Sequence, residues 1–248
     1  MKNEVQKVFE KLGLNPSSTV MMHGDAIVAA QLKIKKGNKL KYLQDSIIKF
    51  FKNKGTLVVP AFNQENFAKK KFFDTDKTPA SIGLFYEKFR TNKSITRSPH
   101  PFFSCSLFGK NKKKYLNSEL TDCFGNNTLF DLLLKDNAKI VNLGCKWECT
   151  FVHFVEQKLG VNYRYFKNFS GKITTKKKEK NIVTKYYVRD LDKDPQYDLQ
   201  KLEALLSKNK KIKYSDFGRF QVSAVNTKNI YEIIKKNIRS DKNLLLKK

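Results

Sequence analysis

The chain has 248 residues, 40% hydrophobic and 12% aromatic, and carries 50 Lys and Arg against 23 Asp and Glu, a net charge of +27. Length and apolar content allow a packed core and exclude a disordered chain. The charge disfavours a polycationic partner and suits anionic ones, although the lysines are scattered along the chain as on an ordinary solvated surface.

Residues 3–12 place Val5, Val8, Phe9 and Leu12 at helical spacing, closed by Gly13. A turn at Asn15-Pro16-Ser17-Ser18 leads into a short buried strand over 19–22. A second helix is expected over 40–54 through Leu43, Ile47, Phe50 and Phe51, and a second strand over 56–60. Helices follow at 81–91 and 128–134, with strands at 102–108 and 139–143. A helix over 151–159 carries Val152, Val155 and Leu159 on one face and ends at Gly160. Residues 172–175 and 182–188 pair as a hairpin, and helices near 196–208 and 227–238 close the chain. Short continuous apolar strands between helices predict a mixed α/β fold, a central sheet flanked by helices. With no repeat or linker, residues 1–248 are expected to form one domain.

The polar start, Met1-Lys2-Asn3-Glu4, has no signal-peptide pattern, and no apolar run is long enough to span a membrane, so a cytoplasmic protein is expected. Four cysteines make no disulfide framework, and Cys145 and Cys149 lack the second pair that a zinc site needs, so no metal is expected.

Three histidines carry the chemical interest, since imidazole exchanges protons near neutral pH. His153 lies near the start of a helix that follows a strand, a position where open α/β sheets place ligands and where helix N–H groups can face an oxyanion. Glu156, three residues on, shares its face and is placed to orient the ring. His100, between Pro99 and Pro101, either pins its loop through a backbone hydrogen bond or acts directly. His23-Gly24-Asp25 follows a strand end, where glycine would let a ligand approach. Asp25 there either contacts His23 or caps a helix. There is no G-x-S-x-G elbow, Walker A or G-x-G-x-x-G motif.

Six segments in order resemble the aminoglycoside 3-N-acetyltransferase family. They are Leu12-Gly13 with Thr19-Val20-Met21-Met22-His23, Gly55-Thr56-Leu57-Val58-Val59-Pro60-Ala61-Phe62, and Phe73-Asp74 through Thr78-Pro79 to Glu87-Lys88-Phe89-Arg90. Then come Arg97-Ser98-Pro99-His100-Pro101-Phe102-Phe103-Ser104, Leu143-Gly144 with Cys149-Thr150-Phe151-Val152-His153-Phe154-Val155-Glu156 and Tyr163-Arg164, and finally Gly218-Arg219-Phe220. The resemblance implies a mixed α/β enzyme that moves acetyl from acetyl-CoA to an amine, with His153 as general base and Glu156 or a residue of Asp190 to Asp192 as its carboxylate. It also implies acetyl-CoA contacts at His23, Gly24, Asp25, Ser98, His100 and Ser104.

Two departures stand out. The family's paired serines after the first histidine are here Gly24 and Asp25, and no acid-rich acceptor region is evident in a +27 chain. The expected acceptor is therefore an amino sugar, nucleotide-linked as in surface polysaccharide synthesis, ahead of an aminoglycoside. No membrane or nucleic-acid partner is expected, and homodimerisation is left open. The alternative is a basic nucleic-acid-binding protein on a non-catalytic version of the fold, whose affinity would fall steeply with salt.

Overall fold

The structure is a computed structural model that describes residues 3–34, 37–52, 54–145, 147–190 and 196–247. Helix α1 (Glu4–Lys11) leads to β1 (Thr19–Gly24), a 3₁₀ turn (Ala26–Gln31), α2 (Lys39–Phe51) and β2 (Thr56–Pro60). Next come α3 (Gln64–Lys70), β3 (Phe72–Asp74), α4 (Leu84–Arg90), β4 (Thr96–Arg97), β5 (Cys105–Gly109), α5 (Lys112–Leu116) and α6 (Leu129–Lys135). The remainder is β6 (Lys139–Leu143), α7 (Phe151–Leu159), β7 (Arg164–Thr175), β8 (Lys178–Arg189), α8 (Leu199–Lys208), β9 (Ile212–Phe217), β10 (Phe220–Asn226) and α9 (Thr227–Asn237).

Seven strands form the main sheet in the order β4-β5-β2-β1-β6-β10-β9. Its centre, β2-β1-β6, is parallel, and antiparallel strands finish both sides. Both faces are covered, which explains why these strands read as unbroken apolar runs. Val20, Met22, Leu57, Val59, Val141 and Leu143 point to the layer of α1, α2 and α4. Met21, Val58 and Ile140 point to the layer that includes α6, α7, α8 and α9.

Three differences from expectation have local causes. β1 runs two residues further, because His23 and Gly24 pair with Asn142 and Leu143. The strand expected from residue 102 starts at Cys105, because the N–H groups of Phe102 and Phe103 both donate to His100 Nδ1, at 3.2 and 3.1 Å, and bend the chain into a turn. Helix α4 starts at Leu84, because Gly83 has φ +130°, outside the helical region.

The hairpin is far longer than its apolar pattern suggests. β7 and β8 pair from Arg164↔Arg189 to Thr175↔Lys178, turning through Lys176 and Lys177 at φ 49° and 64°. With β3 they make a separate three-stranded sheet. The β9–β10 hairpin was not expected at all; it turns at Gly218-Arg219 and lays β10 against β6. Among the described residues no helix is long and apolar enough to cross a membrane.

Gly109 illustrates how closely β5 and β2 approach. It has φ +99°, and a Cβ there would lie 2.1 Å from the Gly55 carbonyl oxygen. Gly109→Ala is expected to lower the unfolding free energy by roughly 1–3 kcal/mol in urea denaturation. An unchanged midpoint would show that this crossing tolerates a side chain.

Candidate active site

α7 follows β6 after a short connection and carries His153 in its first turn. The helix start is tighter than expected. Val152 N–H donates to the Cys149 carbonyl at 3.0 Å and His153 N–H to the Thr150 carbonyl at 3.1 Å, so these groups are not open to an oxyanion. The His153 ring packs against Phe124 and Tyr197, with centroids 5.9 and 5.2 Å apart, and its side chain keeps 22% exposure.

Glu156, one helical turn on, is fully buried and is the hub of the site. Its Oε2 lies 2.9 Å from His153 Nδ1 and 2.9 Å from Arg164 Nε. Tyr163 donates its hydroxyl to Oε1 at 2.8 Å, and the Tyr197 hydroxyl lies 2.9 and 3.0 Å from the two oxygens. Arg164 also donates Nη1 to the Tyr187 carbonyl at 2.6 Å and Nη2 to the Tyr197 hydroxyl.

These contacts select a tautomer. Burial pushes the Glu156 pKa up, but the hydrogen bond and charge of His153, the Arg164 guanidinium and the Tyr163 hydroxyl outweigh it and hold the carboxyl below its usual range. An ionised carboxylate only accepts, so a bare Nδ1 at 2.9 Å would set lone pair against lone pair. Nδ1 therefore carries the proton. Arg164 Nη2 also lies 2.9 Å from Nδ1, and one of its two hydrogens goes to the Tyr197 hydroxyl. The lone pair of His153 sits on Nε2. Burial lowers the His153 pKa, assisted by Arg164 and Arg189 and opposed by Glu156, so the ring is neutral at neutral pH.

The other residues singled out in the sequence fall into two groups. Asp190 directly follows β8, with its N–H on the Tyr163 carbonyl at 3.3 Å, while Asp192 lies outside the described residues; Glu156 is a carboxylate that touches His153. His23, buried at the end of β1, has Nδ1 3.7 Å from Glu148 Oε2 rather than a contact with Asp25. Tyr86 bridges this corner: it accepts from Gly24 N–H and donates to Glu148, each at 3.3 Å. Gly24 makes room for packing, since a Cβ there would meet the Phe85 ring at 2.8 Å. Asp25 caps the 3₁₀ turn, accepting from Ile27 N–H at 2.9 Å.

Ser98, His100 and Ser104, expected at the acetyl-CoA site, are each buried, with polar atoms hydrogen-bonded within the chain. Ser98 Oγ accepts from Cys105 N–H at 2.8 Å. Ser104 Oγ donates to the Ala61 carbonyl at 2.8 Å and accepts from Arg97 Nε at 3.0 Å. His100 accepts two N–H groups on Nδ1, which leaves Nε2–H facing the Asp122 carbonyl at 3.3 Å. It is the loop pin. Tyr197, Glu148 and Tyr86 carry no sequence signal that points to the site, and Tyr163-Arg164 carries only the family pattern.

Burial depresses the pKa of both His23 and His100 to about 4 from 6.5. The unfolded chain then takes up protons below pH 6.5 that the folded chain refuses until pH 4. Each histidine thus contributes on the order of 3 kcal/mol above pH 6.5 that is lost as pH falls through this window. Unfolding free energy measured from pH 7 to 4 should drop steeply, and less steeply in His100→Asn. A flat profile in the parent protein would contradict the buried neutral rings.

No curated protein matches this sequence. Solved structures share its fold. YokD from Bacillus subtilis is 18% identical with a TM-score of 0.76, covering 96% of this chain and 94% of that one. An AAC-IIIb in binary complex with CoASH is 14% identical with a TM-score of 0.78, covering 96% and 97%. An AAC-VIa bound to sisomicin is 16% identical with a TM-score of 0.78, also covering 96% and 97%. The aminoglycoside 3-N-acetyltransferase family model matches residues 31–239, most of the chain. The chain thus belongs to the aminoglycoside 3-N-acetyltransferase family, whose acetyl donor is acetyl-CoA.

Proposed function

We propose that this protein transfers acetyl from acetyl-CoA to the amine of an amino sugar carried on a nucleotide, with His153 as general base. The observation that carries the reading is the His153–Glu156 pair, which leaves Nε2 as a free proton acceptor on a half-buried ring. Acetyl-CoA supplies an activated acyl group as a thioester. An amine is protonated near neutral pH and attacks only after losing a proton, which Nε2 accepts. One N–C bond forms and the C–S bond breaks; of the two protons that the ammonium nitrogen gives up, one goes to the departing sulfur and the other to solvent. Glu156 fixes the tautomer and stabilises the imidazolium formed in transit. Asp190 follows β8, with its N–H on the Tyr163 carbonyl.

The corner at the ends of β1 and β6 suits the acyl donor. His23 Nε2 and Asn142 Nδ2 lie side by side in register, and both are buried without partners, as is Trp147 Nε1 after β6. An unpartnered buried donor costs roughly 1–3 kcal/mol, which an amide or thioester carbonyl oxygen would offset. Gly24 and Asp25 lie at the same strand end and form the rim of that corner. The relative bound to sisomicin suits an amino-sugar acceptor. A +27 surface favours one that carries phosphate.

Thioester cleavage should be assayed with acetyl-CoA against UDP- and dTDP-amino sugars and kanamycin-type aminoglycosides. His153→Ala should lose kcat by roughly two to four decades. Because the His153 pKa is lowered, kcat/KM should hold near pH 7 and fall only below pH 6.5, as the ring gains its proton. Near-parental kcat in His153→Ala removes the base assignment. Comparable turnover of aminoglycosides, with nucleotide amino sugars rejected, removes the acceptor assignment.

A further inference from the structure

Tyr197 touches every member of the candidate proton-transfer group. Its hydroxyl reaches both Glu156 oxygens, accepts from Arg164 Nε at 3.1 Å and from Nη2, and its ring packs on His153. The Arg164 and Arg189 guanidiniums each lie 5.6 Å from its ring centroid. Yet Tyr197 precedes α8 in no helix or long strand of its own. What seats it is the end of the chain.

Residues 244–247 run antiparallel beside it. Tyr197 bridges Leu246, Asp198 N–H donates to the Leu245 carbonyl at 2.9 Å, and Lys247 N–H donates to the Gln196 carbonyl at 2.8 Å. Lys201 Nζ adds a bond to the Leu246 carbonyl at 2.6 Å. Leu244, Leu245 and Leu246 are all buried. Leu246 packs with Val161, Tyr163 and Tyr187, so the apolar floor under the Glu156 hub includes the tail itself. Residues 244–247 lie beyond the 31–239 segment that the family model matches.

We propose that Tyr197 is a positioning residue for the His153–Glu156 pair and that residues 244–247 are the strap that holds it there. The proposal rests on the reading of His153 as general base. The Tyr197 hydroxyl shares the Glu156 charge with His153 Nδ1–H, Arg164 and Tyr163. Without it, more of that charge falls on the imidazole, which then binds its proton more tightly. The other charges facing the ring are Arg164 and Arg189, and both remain.

The test uses the full chain with Tyr197→Phe, Leu246→Ala and Leu246→Met, read by kcat, KM for acetyl-CoA and the pH profile of kcat/KM. Tyr197→Phe should lower kcat roughly ten- to a hundred-fold and move the acid limb up by about half to one pH unit, with KM within about twofold. Leu246→Ala should reproduce both effects more weakly, and Leu246→Met should restore them. Parental kcat and an unmoved acid limb in Tyr197→Phe would overturn the proposal, and that result holds even if the Leu246 variants fold poorly. Loss of the base reading shows separately, as an active His153→Ala.

Discussion

A buried carboxylate without full coordination would cost several kcal/mol, and that constraint organises this end of the molecule. Glu156 has no exposed surface and meets it with His153, Arg164, Tyr163 and Tyr197. Three of these partners are bound to the carboxylate's position by local geometry. His153 lies one turn back on the same helix, and Tyr163-Arg164 open β7 directly after α7 ends. The fourth comes from across the fold. The start of the long β7–β8 ribbon and the approach to α8 must therefore converge on α7. The site is assembled by satisfying one charge.

The residues around this hub supply rigidity. Arg97 is buried, donating Nε to Ser104 Oγ and its two Nη groups to the carbonyls of Thr78, Ala61 at 2.5 Å and, more distantly, Thr75. Burial lowers its pKa to about 10, still far above neutrality, so it remains charged. It ties the end of β2 to the loop after β3, while His100 ties the segment before β5 to the chain at Asp122. General-base chemistry depends on positions held to a fraction of an ångström, and such fixed backbone contacts provide them.

The sheet was legible where physics is local. β2 and β6 match their expected bounds, because a strand buried on both faces must be apolar throughout. α1 and α7 follow from the 3.6-residue spacing of Val5, Val8, Phe9 and Leu12, and of Val152, Val155 and Leu159. The first half of β7 was not legible, since Tyr165, Phe166, Lys167 and Asn168 are all exposed and carry no alternation. β9 mixes Ile212 and Phe217 with polar residues between them. In the site, Glu156 was readable from its three-residue offset to His153. Tyr197 was not, because its place depends on a tail almost fifty positions away. Ser98, His100 and Ser104 stand out in sequence for the same reason that they are hydrogen-bonded within the fold. A polar side chain in an apolar segment needs a partner, and the sequence does not say whether that partner is a ligand or the chain's own backbone.

The central claim is that Glu156 holds His153 as a neutral Nδ1–H tautomer with its lone pair on Nε2. Nitrogen-15 NMR of the histidine side chains across pH 5 to 8 tests it most directly, with His153→Gln used to assign the resonances. The account predicts a protonated Nδ1 and a bare Nε2 at pH 7, with the ring titrating below 6.5. A protonated Nε2 at pH 7, as either the other neutral tautomer or the imidazolium, would contradict it.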